Sequence, residues 1–358
     1  MKAAVCYEFG KPLVVEEVEI DPPQKGEVKV RLAVTAICHS DIHFIRGELG
    51  RRLPVVLGHE CSGYVEELGE GVTSVKPGDP VVVSLVAWCG RCPQCILGRP
   101  HMCQFNWPLN SESRLHNERG ESLGNVLRMS GFAEYAIVDQ SQLTPVPLEM
   151  PMDSAALVAC GVITGFGSVM NLAKVPAMSS VAVLGVGGVG LNSVQAAAIS
   201  GAYPVIAVDL LDHKLEAARG FGATHTVNAG DPEGVNKVRE LTSGRGADYV
   251  FVTVGSSAAI SQGFMMTAPR GMMVMVGLPP ASEQVTLPTA IIWAERMVTM
   301  SVMGSIRPSI DIPKLIALYQ AGRLKLDELI TKRYPLEQIN EAIESVEKGE
   351  ALRNVIVF

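Results

Sequence analysis

The sequence predicts an α/β protein of two folded units, and three observations predict it. At 358 residues the chain exceeds what one hydrophobic core organises comfortably. From Met1 to about Pro151, short Val- and Ile-rich runs (VKVRLAV, GYVEEL, PVVVSLV, AEYAIV) are broken by turn formers such as PPQKG and KPGD, which is the punctuation of a β-rich segment. From about Val181 the pattern becomes apolar strand, Gly turn and amphipathic segment in alternation: VAVLG, VIAVD, HTVN, YVFVTVG, MVMVG and VTMSVMG. Such alternation implies a parallel sheet with crossover helices. Two further amphipathic stretches, around Ile312 to Ala321 and Leu336 to Lys348, precede a final strand-like NVIVF.

Composition narrows the function classes. The chain is 47% hydrophobic and 19% charged, too apolar for a disordered chain. A net charge of -7 without a dense Lys/Arg block gives no electrostatic attraction for polyanions, so no nucleic-acid partner is expected. The N-terminal MKAAVCYEFGKPLVVEEVEI has scattered charges and reads as a strand, not a signal peptide. No membrane-spanning run is expected, and the chain reads as soluble and cytoplasmic. Of eight cysteines, Cys89, Cys92, Cys95 and Cys103 crowd together while Cys6, Cys38, Cys61 and Cys160 are isolated. Clustering of this kind favours metal over disulfides.

The run VAVLGVGGVG carries Gly185, Gly187 and Gly190 in GxGxxG spacing, after a strand-like segment and before the helix-like LNSVQAAAIS. The first Gly permits a tight turn, the second lets backbone approach a pyrophosphate, and the third allows close helix packing. Helix N-terminal N–H groups, from Gly188 onward, would face the phosphates. Asp209 ends the second strand, 19 residues beyond Gly190, where a carboxylate bonds ribose hydroxyls and repels a 2′-phosphate. NAD is therefore expected in preference to NADP. Lys214 could hold the same ribose or simply lie on a solvated helix face.

The stretch CGRCPQCILGRPHMC places Cys89, Cys92, Cys95 and Cys103 on one loop. Four thiolates fill a tetrahedral zinc and leave no position for substrate, so this ion would be structural, with His101 as a competing ligand. Three further segments, CHSDIH from Cys38, GHECSG from Gly58 and CGVITG from Cys160, each offer a soft or borderline ligand. Spacing alone does not join them, since a lone Cys is usually a small core residue.

With GHExxGxVxxxG (Gly58, His59, Glu60, Gly63, Val65, Gly69), the four-cysteine lobe and the Gly185 fingerprint, the chain resembles the zinc-containing alcohol dehydrogenases of the medium-chain dehydrogenase/reductase superfamily. The resemblance runs from near the N-terminus to NVIVF. It implies a GroES-like catalytic domain over residues 1–161 and 303–358 and a Rossmann domain over 162–302. It implies that Cys38, His59 and Cys160 bind a second, catalytic zinc, a Cys2His set with an open fourth position for water or substrate oxygen. Zinc there acts as a Lewis acid on an alcohol or aldehyde that exchanges hydride with nicotinamide. By the same resemblance Ser40 and His43 relay the alcohol proton, and Glu60 and Asp41 tune the metal. Thr164 and Val189 pack on nicotinamide, Leu278 belongs to the cofactor and substrate surroundings, Arg353 contacts pyrophosphate, and His39 stands where many relatives carry a pyrophosphate-binding Arg.

The resemblance places Leu49, Leu85, Met102, Val126, Leu127 and Leu278 around the substrate, an aliphatic lining suited to hydrophobic or aromatic primary alcohols. The glutathione-dependent formaldehyde dehydrogenases form a close branch, but their acidic residue and Arg are replaced here by Leu49 and Trp107. Polyol dehydrogenases usually carry Glu where Cys160 stands. The alternatives are a formaldehyde dehydrogenase or dismutase-like enzyme with tightly bound cofactor, and a non-catalytic dinucleotide-binding protein. Residues 104–130 read as a surface excursion with few apolar side chains. A homodimer is expected, through VTMSVMG across a two-fold axis, with a homotetramer as the alternative.

Overall fold

In a computed structural model, the structure describes residues 1–50, 52–280, 283–288 and 294–358. The chain folds into two units, Met1–Cys160 with Arg307–Phe358, and Gly161–Ile306.

In the first unit the Val-rich runs form strands because β-branched side chains at alternate positions share a core. Val28, Val30 and Leu32 of Glu27–Ala36 meet Val81 and Val83 of Pro80–Val83 and Ala136 and Val138 of Tyr135–Asp139 in one buried cluster. The main sheet runs Leu143–Pro145, Pro80–Val83, Cys61–Leu68, Glu27–Ala36, Arg353–Val357, Ile330–Pro335, with Tyr135–Asp139 also paired to Glu27–Ala36. The C-terminal strand is thus central to a sheet begun by the N-terminal half. Beside it, Lys2–Cys6, Val14–Ile20, Leu115–Asn117, Ser122–Asn125 and Val55–Val56 close a small barrel.

That barrel corrects the expectation for residues 104–130. Two of its strands, Leu115–Asn117 and Ser122–Asn125, come from this stretch. Its apolar residues are few but inward: Leu115, Leu123 and Val126 lie in the barrel core. Arg114 is buried too, donating from Nε and Nη2 to the two oxygens of Glu27 at 3.0 and 2.8 Å.

The second unit is a six-stranded parallel sheet in the order His225–Asn228, Val205–Asp209, Val181–Leu184, Ala247–Val252, Thr267–Met275, Met297–Met300. Each strand expected from the apolar runs is present. Helices Gly188–Ile199, Asp212–Gly220, Gly234–Leu241 and Ser257–Met266 intervene, giving the Rossmann arrangement.

Against the expectation of no membrane-spanning run, the long helical stretch Met152–Ala173 has 22 residues and is apolar enough to cross a bilayer by length and composition. Its most apolar window is 78% buried within the protein, as in a core helix. The run is not uniformly α: Val158–Val162 and Ser168–Ala173 are π-helical.

Candidate functional site

The first cluster is assembled by three local devices. Helix His39–Ile45 begins after Cys38, in extended conformation, and Asp41 Oδ2 accepts the Cys38 N–H at 3.1 Å. Asp41 is fully buried, and its Oδ1 accepts from Gly58 N–H at 3.2 Å and from His59 Nδ1 at 2.9 Å. One carboxylate therefore fixes the Cys38 backbone and the His59 ring together. Cys160 arrives on the π-helical turn Val158–Val162, a widened turn of the kind found at functional sites.

One ligand atom each from Cys38, His59, Glu60 and Cys160 lies within 4.8 Å of the others, and all four residues are buried. Among the described residues, His59 Nε2 has no hydrogen-bond partner although it is buried. Burial disfavours a charged His59, but the Asp41 carboxylate and Cys38 outweigh it and hold its pKa up at about 10. Contact with Cys160, together with His59 and Arg353, pulls Cys38 well below the usual thiol range against burial. Two sulfurs and an imidazole nitrogen converge in this buried pocket. A soft divalent cation fits that donor set.

Glu60, which the resemblance sets beside the metal, pairs with a residue that the resemblance did not join to it. Its Oε2 accepts from Arg353 Nη2, while Oε1 is buried with no partner among the described residues. Arg353 itself, expected on pyrophosphate, is 6% exposed and lies against Glu60, with Cys38 and Asp41 acting on its charge. The physical reason is its place on the central strand Arg353–Val357, where a buried guanidinium requires an anion.

The proton-handling candidates occupy the same helix. Ser40 Oγ is 3.2 Å from Cys38 Sγ. His43, three residues on, bonds through Nδ1 to Glu48, a partner that nothing in the sequence singles out. His39 is exposed at the helix start, its ring edge-on to His43 at 5.3 Å between centroids.

Cys89, Cys92, Cys95 and Cys103 bring their sulfurs within 4.8 Å of one another at half-buried positions, without His101 among them. Backbone N–H groups of Cys89 and Cys92 point at Cys103 Sγ (3.4 Å) and Cys89 Sγ (3.3 Å). The Gln104 and Cys95 backbone N–H groups bring Cys92 down to about 6. No disulfide joins the described cysteines.

In the second unit Gly185 has φ +84°, and a Cβ there would meet Val254 at 2.5 Å. A Cβ on Gly190 would meet Gly185 O at 1.8 Å, so helix Gly188–Ile199 closes on the strand only with glycine at this position. Beside Gly187, the N-cap, a Cβ would meet nothing within 4 Å. That open face at a helix N-terminus suits a phosphate. Asp209 Oδ2 accepts from Val186 N–H at 2.8 Å within the Gly turn, and Oδ1 accepts from Leu211 N–H at 3.0 Å. Lys214 lies half-buried in the first turn of Asp212–Gly220. Thr164 donates to Met303 Sδ at 3.5 Å, and the adjacent Gly165 packs on Val189, where a Cβ would come within 2.2 Å of Val189 O.

The expected substrate lining is only partly gathered. Leu49 and Leu127 pack on the barrel core, but Val126 is completely buried within it and is a core residue. Leu85 packs on the main-sheet core, Met102 is exposed beside the four-cysteine lobe, and Leu278 is 42% exposed in the second unit.

Comparison with known proteins agrees along the whole chain. A family model described as an alcohol dehydrogenase GroES-like domain matches residues 24–148, and one described as a zinc-binding dehydrogenase matches residues 188–321. An NDMA-dependent alcohol dehydrogenase of Amycolatopsis methanolica is 40% identical, the match covering 99% of this chain and 98% of that protein. The crystal structure of an alcohol dehydrogenase zinc-binding domain protein from Burkholderia ambifaria is similar with TM-score 0.95 and 34% identity, covering 100% of this chain and 98% of that one. Benzyl alcohol dehydrogenase from Acinetobacter calcoaceticus gives TM-score 0.93 and 31% identity, with 100% and 99% covered. A near-complete relative at this identity, both domain models and the two clusters of ligand-type side chains lead to one conclusion: the chain belongs to the zinc-containing alcohol dehydrogenase family of medium-chain dehydrogenases.

Proposed function

We propose that the protein is a zinc-dependent oxidoreductase that moves hydride between an alcohol or aldehyde and nicotinamide, NAD in preference to NADP. The observation that carries this reading is the buried set of Cys38, His59 and Cys160, with the unpartnered His59 Nε2 among the sulfurs. Those three residues would hold a catalytic zinc with Glu60 beside it, and Cys89, Cys92, Cys95 and Cys103 would hold a structural one. Zinc so held supplies Lewis acidity toward a substrate oxygen, and nicotinamide supplies the hydride acceptor or donor.

The chain's own groups do the rest. Asp41 accepts from His59 Nδ1, which leaves Nε2 as the donor atom facing the cluster. Arg353 compensates Glu60, so a second buried anion does not overload the site. Ser40 adjoins Cys38 and shares a helix face with His43, a spacing suited to taking a hydroxyl proton outward. Asp209 keeps further acceptor capacity for ribose hydroxyls, and its charge disfavours a 2′-phosphate. Lys214, Thr164, Val189, Leu278, His39 and Arg353 are the remaining cofactor contacts of this reading. The benzyl alcohol dehydrogenase relative supports an aromatic or hydrophobic primary alcohol as substrate.

The test is metal analysis with a substrate panel. We expect about two zinc ions per chain and alcohol-dependent NADH absorbance. Two zincs with no turnover of any primary, secondary or aromatic alcohol or aldehyde, with NAD or NADP, would overturn the reading. A second reading, in which nicotinamide stays bound between turnovers, draws support from the NDMA-dependent relative. It predicts turnover with NDMA present and little with NAD alone. The assembly we propose is a homodimer through the edge strand Met297–Met300.

A further inference from the structure

Beyond the residues assigned above, one carboxylate stands at the outer end of the proton-handling helix. Helix His39–Ile45 is capped by Arg46 and followed by Gly47 at φ +76°. Gly47 N–H donates to Phe44 O and Glu48 N–H to His43 O, each at 3.0 Å. These are the paired bonds of a Schellman cap, and they turn the chain back over the helix's last turn. A Cβ on Gly47 would add a 3.0 Å approach to the Phe9 ring to the strain of its left-handed backbone. The reversal returns Glu48 to the residue whose carbonyl it has just capped, and Glu48 Oε2 takes the His43 Nδ1 bond.

The direction of that bond follows from charge. The His43 bond holds the Glu48 carboxyl below the usual carboxylate range, so Glu48 is an acceptor only and Nδ1 must carry the hydrogen. Neutral His43 is then the Nδ1–H tautomer with its lone pair on Nε2. Exposure rises outward, from 6% at Cys38 to 16% for the His43 side chain and 29% for that of Glu48. Ser40 lies between Cys38 and His43 on the helix. Among the described residues, the charged and titratable groups around the pair are His39, with its ring beside His43, and Arg46, which pairs with Glu347 of helix Ile339–Glu347 at 2.8 Å.

We infer that Glu48 is a positioning residue for proton transfer: by accepting the Nδ1 hydrogen of His43 it presents Nε2 as the proton acceptor and stabilises the imidazolium that forms. The inference rests on the reaction proposed above. In the oxidation direction the substrate O–H bond breaks and its proton passes by way of Ser40 Oγ to Nε2. The imidazolium, held against the Glu48 carboxylate through Nδ1–H, then releases the Nε2 proton to water and returns to the Nδ1–H form. The C–H electron pair leaves as hydride to nicotinamide, so Ser40 and His43 carry only the proton. The division of labour is that of an acid–base histidine oriented by a carboxylate.

The test compares wild type with Glu48→Gln and Glu48→Asp. It measures zinc content, KM for nicotinamide, the pH profile of kcat/KM, and the 15N imidazole spectrum of substrate-free protein. Loss of a signal in His43→Gln assigns His43. We expect Glu48→Gln to keep both zincs and the nicotinamide KM, to lose about tenfold in kcat, to move the acid limb of the pH profile, and to lose the pure Nδ1–H signature. Glu48→Asp should restore much of the rate and the signature. A Glu48→Gln protein with the wild-type pH profile and tautomer overturns the inference, as does one whose lost activity tracks lost zinc. A wild type inactive on every alcohol sinks the reaction instead, while the imidazole spectrum still decides the pairing.

Discussion

Asp41 satisfies three donors with two oxygens: Cys38 N–H, Gly58 N–H and His59 Nδ1. Replacing it by Asn keeps the size but offers one acceptor oxygen where two are needed, and an amide that can donate to Nδ1. His59 would then be free to present the wrong tautomer to the metal. Partners of this kind are worth about 10–100-fold in metal affinity, so Asp41→Asn should lose one zinc to mild chelation while the four-cysteine ion stays. Zinc release indistinguishable from wild type would rule out the orienting role. Residue chemistry is legible in the sequence where identity alone constrains it, as for His59 beside Glu60 and the Asp209 that ends a strand. Partnership is not. The resemblance matches Arg353 to a pyrophosphate contact, but its pairing with Glu60 shows only in the fold. Glu48 is inconspicuous in the sequence because its role depends on Gly47 turning the chain back toward His43.

At the scale of elements, the four-cysteine lobe has little apolar burial of its own, as a loop that a metal would hold needs little. Its helix Pro93–Ile96 contains no buried residue, and Ile96 and Leu97 are 72% and 64% exposed. The sulfurs, with the N–H groups aimed at them, are what gathers the segment. Cys92→Ser should therefore release the structural zinc, expose residues 89–103 to proteolysis and lower Tm by roughly 5–10 °C. A variant with unchanged zinc content and Tm would show that the loop holds itself. The lobe is readable because four identical ligands in fifteen residues need no tertiary information. The barrel strands at Leu115–Asn117 and Ser122–Asn125 are not, because each is too short for alternation to register against polar neighbours. The π-helical turn under Cys160 leaves no mark in periodicity either, since one widened turn shifts the apolar pattern by a single residue.

For the whole molecule, the parallel sheet of the second unit ends on Met297–Met300, which pairs only with Thr267–Met275 among the described strands. An edge strand offers unpaired N–H and C=O groups, and proteins that remain single blunt such edges with charge, proline or a covering loop. Here Met297, Val298, Met300 and Val302 are 48%, 39%, 40% and 42% exposed, with no charged side chain between Met297 and Val302. A second copy related by a two-fold axis can pair the same strand antiparallel to itself, extending both sheets and covering these side chains in one isologous contact. The wild type should then scatter as twice the 38.2 kDa chain at micromolar concentration. Val298→Lys with Met300→Lys places like charges across the axis from themselves, so the double variant should scatter as the single chain while keeping zinc and secondary structure. A double variant that stays dimeric, or a wild type that scatters as one chain, would move the interface elsewhere or remove it. If the dimer forms through this strand, its two sheets join as one of twelve strands, twice the six of a single chain, and dilution should lower Tm together with the dimer fraction, because a ligand that binds only folded protein stabilises it by mass action and here that ligand is the second copy.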